Sequence, residues 1–250
     1  MRLPSVKGAV LIHFGISLLI FLVLAALMRW IWYPGALFSI DGGWQGLKII
    51  APIDLVLGPA LTLCFYRPWK KNVRFDMAVI ATVQIAALSY GVFATYQQRT
   101  AAIVFAENRF ETLSLSEYKQ ASSELQENGI QIKSLSDFST GLPVVLFARP
   151  FNSEEYGNYL ADIMNGLPEL RERSDRYTAI SDARDEIAEY RIDRQKDGTT
   201  IELTASSKPD ETKSNSAEIY TLKARYADGT IEFDPGSFQW IEIKRDIKTE

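Results

Sequence analysis

The sequence predicts a membrane protein: three transmembrane α-helices followed by an α+β extracytoplasmic domain whose C-terminal part is rich in β-hairpins. Two observations carry that prediction. Residues 1–96 hold 8 basic and 3 acidic groups, a net of +5, whereas the remaining 154 hold 19 basic and 28 acidic groups, a net of −9, so the chain's overall −4 hides two opposite regions. The basic region also contains three long apolar runs, and the acidic region reads as a soluble head, which implies two different solvents.

The first run, Gly8 to Met28, has 21 residues without a formal charge at neutral pH, enough to cross roughly 30 Å of hydrocarbon at about 1.5 Å per residue. Arg2 and Lys7 precede it as in a signal peptide. The run is too long for a usual leader core, however, and Arg29-Trp30-Ile31-Trp32-Tyr33 is a poor cleavage neighbourhood, so a retained helix is expected. The second run, Leu47 to Tyr66, is interrupted by Lys48, Pro52, Asp54 and Gly58-Pro59, and the prolines predict a kink. The third, Met77 to Tyr96, contains Gln84, Ser89 and Gly91. Arg67 to Arg74, between the second and third runs, carries four positive charges in eight residues. The positive-inside rule then puts this connector and the N-terminus in the cytoplasm and residues 97–250 outside, which in a Gram-negative cell is the periplasm. Trp30, Trp32, Trp44 and Trp69 all fall at expected membrane–water boundaries, where an amphipathic ring is favoured.

On straight helices the polar groups inside the spans can be ranked by depth. His13 falls roughly 7 Å and Gln84 roughly 10 Å from the cytoplasmic side, and Asp54 roughly 18 Å, level with Ser89. His13 with Gln84, and Asp54 with Ser89 or Tyr90, are therefore the expected layers, and His13 with Asp54 is not. An intramembrane Asp costs about 2.5–3.5 kcal/mol on insertion scales. Asp54 reads either as a functional group or as an uncharged carboxyl that hydrogen-bonds a neighbouring helix. The aromatic, glycine-rich connector Arg29 to Gly46 ends in Ile40-Asp41-Gly42-Gly43-Trp44, a turn signal that Asp41 disfavours as a phosphate site.

In the head, Ala102 to Phe110 predicts a strand and Ser116 to Asn128 a helix capped by Ser114 or Ser116. Leu142 to Phe147 predicts a buried strand. Asn152 to Asn165 predicts a second helix, capped by Asn152 or Ser153 and stopped by Gly166-Leu167-Pro168. The last 60 residues alternate. Hairpins are expected about Asp197-Gly198, between Glu189–Asp193 and Thr200–Leu203, and about Asp228-Gly229, between Tyr220–Tyr226 and Thr230–Phe233. Phe238 to Ile243 adds a further strand, and residues 204–217 read as a polar loop.

The single Cys64 excludes an internal disulfide and a cysteine zinc cluster, and the single His13 excludes a multi-histidine metal site within one chain. The acidic head argues against nucleic acid as a partner. Asp193, Gln195, Asp197 and Gly198 resemble the opening of a calcium loop, but Thr204 stands where its last glutamate should be. No phosphate-binding, dinucleotide or nucleophile-elbow motif is present, the head has neither His nor Cys, and Asp54 lacks the second membrane carboxyl an aspartyl protease requires. The expectation is a non-enzyme without cofactors.

Several segments carry a resemblance to a known family: Ile40-Asp41-Gly42-Gly43-Trp44-Gln45-Gly46, Asp54 to Pro59 with Leu61-Thr62-Leu63, Gln84 to Gly91, Asn108-Arg109-Phe110-Glu111, and Gly166-Leu167-Pro168-Glu169-Leu170 leading to Tyr177. They resemble the type IV pilin accessory proteins (the TfpX/TfpZ-like group), most strongly over 40–110 and weakly after about 190. The resemblance implies an inner-membrane chaperone or assembly modulator dedicated to the major pilin of its own strain, with the bilayer as its other partner. It supplies no catalytic residues. The expected docking line for the pilin helix is the second span and its neighbours, with Asp54, Gly58, Pro59, Gln84 and Ser89 as candidate contacts, because small residues permit close helix approach. A membrane-tethered sensor with a ligand-binding head is the alternative. It is disfavoured by cytoplasmic parts of only a seven-residue tail and a loop of about ten residues.

Overall fold

The computed structural model describes residues 5–192 and 217–245. It divides into two compact units: one comprises the chain up to Pro34 together with Gly42–Gln97, the other Gly35–Asp41 together with the chain from Gln98 onward.

The first unit contains three helices long and apolar enough to cross a bilayer, Val6–Trp32, Gly43–Phe65 and Val73–Gln97. Helix α1 (Val6–Leu27) is capped by the Ser5 hydroxyl, which accepts from the Gly8 N–H, and it runs on into a π-helical turn, Met28–Trp32. A four-residue turn, α2 (Leu37–Ile40), follows and belongs to the second unit. The second span is α3 (Gly43–Ala51), a π-helical turn (Pro52–Leu57) and α4 (Gly58–Phe65). The irregularity expected at Pro52 thus takes the form of a widened turn. A ring without an N–H cannot continue the i→i−4 ladder, and π turns occur where that ladder is interrupted. Helix α5 (Val73–Gln97) is continuous and begins four residues before the expected Met77. Trp30, Trp44 and Trp69 are exposed at helix ends, and Trp32 meets Tyr96 edge-on at 5.3 Å. Helix α1 buries only Ala9 and Ser17, leaving most of its apolar surface outward.

The second unit is a seven-stranded mixed sheet in the order β4-β3-β1-β2-β5-β6-β7. Strands β1 (Thr100–Ala106) and β2 (Arg109–Ser114) form an antiparallel hairpin, in place of the single strand expected over Ala102 to Phe110. The break is at Glu107-Asn108, both with positive φ (49° and 76°), the signature of a type I′ turn. Strand β1 is buried along its whole length at the sheet centre, and β3 (Val144–Ala148) pairs parallel to it. Strand β4 (Tyr177–Ala179) is the edge on that side.

Helix α6 (Leu115–Glu127) starts from a complete capping box: Ser114 Oγ accepts from the Glu117 N–H and Glu117 Oε2 accepts from the Ser114 N–H. Helix α7 (Tyr156–Met164) is preceded by a turn in which Asn152 Oδ1 accepts from Glu154 and Glu155. Both helices pack Tyr118, Tyr159 and Ile163 onto a core of Ala102, Val104, Leu113 and Leu146. A short helix, α8 (Arg184–Ile187), leads to Glu189-Tyr190, which lie in a 3₁₀ turn rather than the expected strand, and the Ile192 N–H donates to the Ile219 carbonyl.

Strands β5 (Glu218–Lys223), β6 (Asp228–Phe233) and β7 (Trp240–Arg245) close the sheet. Asp228-Gly229 is not the hairpin turn. It opens β6, opposite Lys223 and Leu222, and residues 224–227 make the reversal. Gly229 is needed because a Cβ there would run into the Lys244 carbonyl on β7. The expected hairpin about Asp197-Gly198, the residues likened to a calcium loop and the polar stretch 204–217 (Ala217 apart) lie outside the described residues.

Candidate functional site

Several polar groups of the first unit converge on one side chain. Gln84, on α5, donates from Nε2 to Asp54 Oδ1 at 3.1 Å and to Ser17 Oγ at 3.2 Å, and its Oε1 lies 2.6 Å from His13 Nε2. His13 Nδ1 lies 2.6 Å from Thr62 Oγ1, which is 3.1 Å from the Gly58 carbonyl. With Nε2–H donating to Gln84, the imidazole finds a partner in either protonation state. When Nδ1 is bare it accepts the Thr62 hydroxyl; when Nδ1 carries a proton it donates, and the hydroxyl turns to the Gly58 carbonyl. One relay therefore ties α1, the second span and α5 together inside an apolar bundle, where such bonds hold helices in register.

The relay is incomplete at one atom. Asp54 is 1% exposed, yet its Oδ2 has no hydrogen-bond partner among the described residues. A buried acceptor without a donor costs about 1–3 kcal/mol. Gly58 makes the arrangement possible, because a Cβ on it would overlap the Gln84 amide.

Of the five candidate docking residues, Asp54, Gly58 and Gln84 meet one another, and Pro59 is buried beside Gly58. Ser89 is exposed and Tyr90 is 73% exposed. The expected layer of Asp54 with Ser89 or Tyr90 does not form: Asp54 pairs with Gln84, which also meets His13. The depth ranking failed because α5 starts at Val73. Gln84 is eleven residues into α5 and Asp54 is eleven residues from Phe65 at the same end, so the two are level.

The second unit contains a buried centre at the expected Asp41-Gly42 turn. Gly42, at φ 123°, does make a turn, but the preceding Asp41 is fully buried. Its Oδ1 accepts from Thr112 Oγ1 at 2.7 Å, Arg225 Nε at 3.0 Å and the Arg225 N–H at 3.3 Å. Its Oδ2 accepts from Thr100 Oγ1 and from Arg225 Nη2 at 3.2 Å. Arg225 also donates from Nη1 to Gln98 Oε1 at 2.8 Å and from Nη2 to the Asp41 and Gln98 carbonyls. This charge-assisted cluster stitches Gly35–Asp41 to the sheet. A weak signal was available: Asp41 is one of only three acids in 96 residues. Nothing local points to Arg225.

A second charge network borders α6. Arg171 pairs with Glu172 at 2.7 Å and lies 3.7 Å from Glu117. Burial alone would raise the Glu117 carboxyl, but bonds from Ser114 and the Arg171 charge pull it below its ordinary 4.5, whereas burial dominates at Glu172 and raises it. Among the described residues no cluster of His, Cys, Asp or Glu has the spacing of a metal site.

Fold and site together define a three-helix bundle of membrane-spanning length joined to a mixed-sheet head, each organised around a buried aspartate. Three proteins of Dichelobacter nodosus are similar to this chain. The fimbrial assembly protein of serogroup I is 34% identical over 123 residues, 46% of this chain and 48% of that protein. The serogroup E1 protein is 33% identical with the same coverage. That of serogroups C1 and C2 is 34% identical over 105 residues, 41% of this chain and 80% of that protein. The chain thus spans about half the length of the first two relatives and four-fifths of the third. It belongs to the family of fimbrial assembly proteins. No family model and no solved structure matches it.

Proposed function

We propose that this protein is a non-enzymatic inner-membrane accessory of type IV pilus assembly that assists the major pilin of its own strain, as the narrower resemblance to type IV pilin accessory proteins implies. The names of the relatives support a part in fimbrial assembly, and the three apolar helices support a place in the bilayer. In this reading the basic connector Arg67 to Arg74 and the N-terminus face the cytoplasm, and the head stands in the periplasm beside the pilin head.

The observation that carries the reading is the empty Oδ2 of Asp54. An acceptor kept unsatisfied inside an apolar bundle is costly for a structural pin and suits a group that receives a donor from an incoming helix. The pilin helix engages the second span at Asp54, Gly58 and Pro59 by exchanging with Gln84, which now fills the space over Gly58.

The test is the ratio of surface-assembled to total pilin, with and without this protein, for its neighbouring pilin and for an unrelated one. The proposal expects the ratio to fall only for the neighbouring pilin. An unchanged ratio for both would remove the pilus reading and leave the sensor alternative.

A further inference from the structure

The head contains a cavity of about 630 Å³ that is separate from both buried aspartates, within the range of ligand sites. Its walls are aromatic. Phe105 stacks on Phe147 with ring centroids 6.0 Å apart and tilts against Tyr190 at 5.5 Å, and Phe151 stacks on Tyr159 at 4.3 Å. Three carboxylates, Glu107, Glu186 and Glu189, also line it. None of the three forms an ion pair with a described cation, although the Tyr190 hydroxyl bonds Glu189. The nearby guanidinium groups over Phe151 are already matched: Arg176 by Glu155 at 3.1 Å, Arg173 by Asp162 and Asp175, both at 3.0 Å. Negative ring faces and carboxylates without an ion pair among the described residues attract the same kind of occupant, a cation.

A second feature begins at the cavity's edge. Tyr156 lines the cavity and starts a ridge with Leu160 and Met164, spaced i, i+4 and i+8 on α7 and 51%, 45% and 88% exposed. Large apolar side chains left outward along one face of a short helix mark a surface for another polypeptide, because a free small cation would use only the cavity.

We propose that cavity and ridge together bind a segment of another polypeptide, placing a lysine or arginine side chain among the rings and laying neighbouring apolar side chains along α7. This surface lies wholly within the head and does not depend on the pilus reading.

The full-length protein in phosphatidylcholine nanodiscs is titrated into fluorescein-labelled Gly-Leu-Lys-Phe-Lys-Leu-Gly and its glutamate counterpart, with empty nanodiscs as the blank and anisotropy as the readout. The lysine peptide should bind saturably and the glutamate peptide should not. Glu186→Lys with Glu189→Lys should weaken binding about tenfold and Tyr156→Ala about threefold, whereas Glu127→Lys with Asp228→Lys, the same charge change on exposed sites elsewhere, should leave it within about twofold. The proposal is overturned if the two double variants weaken binding equally, if the glutamate peptide binds as tightly, or if no saturable binding occurs. A pilin display assay would be unaffected by any of these failures, so the two readings fall separately.

Discussion

The two buried aspartates sit in opposite states of satisfaction. Asp41 receives five donors on its two oxygens, three of them from Arg225 and two from threonine hydroxyls. Among the described residues Asp54 receives one, from Gln84, and its other oxygen receives none. A fully bonded carboxylate in a sheet core rigidifies what it joins, and its removal is felt as unfolding. A half-bonded carboxylate in an apolar bundle adds little stability, so its presence calls for another explanation. Burial is the same in both, and what separates them is the completeness of their bonding among the described residues.

The contrast should be sharpest in stability. Arg225→Ala leaves Asp41 buried without its cation and should destabilise the head by about 3–5 kcal/mol, read as a lower thermal midpoint and faster proteolysis of the head. Gly58→Ala should come next. Its methyl group would press on the Gln84 amide, and overpacking of this kind costs about 1–3 kcal/mol, read as reduced accumulation and a lower midpoint in detergent. Asp54→Leu should change stability by less than about 1 kcal/mol, because the Gln84 donor it leaves without an acceptor is offset by the removal of a buried carboxyl oxygen that has no donor. If it instead unfolds the bundle as severely as Arg225→Ala unfolds the head, the contrast between the two aspartates is lost.

The smallest effect concerns pH. Glu117 titrates below its ordinary value of 4.5 in the folded head, so its ionised form contributes stability that is present above that value and lost as pH falls through the lower folded value. Glu117→Gln should therefore lower the thermal midpoint at pH 6, and the difference from the parent should be smaller at pH 3 than at pH 6. A constant difference at both pH values would assign the contribution to packing instead of charge.

What could be read in advance follows from the range over which each signal acts. The three spans are continuous apolar runs, so their existence was legible, while the start of α5 was hidden because Arg74 and Asp76 precede Met77 and charge marks a boundary only loosely. That four-residue error separated Gln84 from Asp54. Helix α6 was legible from Ser114 and the glutamate three residues on. The β1–β2 hairpin was not, since Glu107-Asn108 lacks the glycine that usually announces a type I′ turn. Asp228-Gly229 supplied that signal at a place where the glycine serves close strand approach. Of the candidate site, the expected contact of His13 with Gln84 forms, although Gln84 lies deeper than the expected start of α5 placed it. The Asp41–Arg225 pair spans 184 residues of sequence, and no local pattern encodes it.

In the proposed reading, the Asp54 oxygen that has no donor among the described residues receives one from a partner helix. The most direct test is the ratio of surface-assembled to total pilin in cells carrying Asp54→Leu at the same protein level as the parent. The ratio should fall to the value seen without the protein, together with weaker cross-linking of pilin to the second span. A ratio equal to the parent's, with the variant inserted and accumulating normally, would contradict it and leave Asp54 as a packing residue.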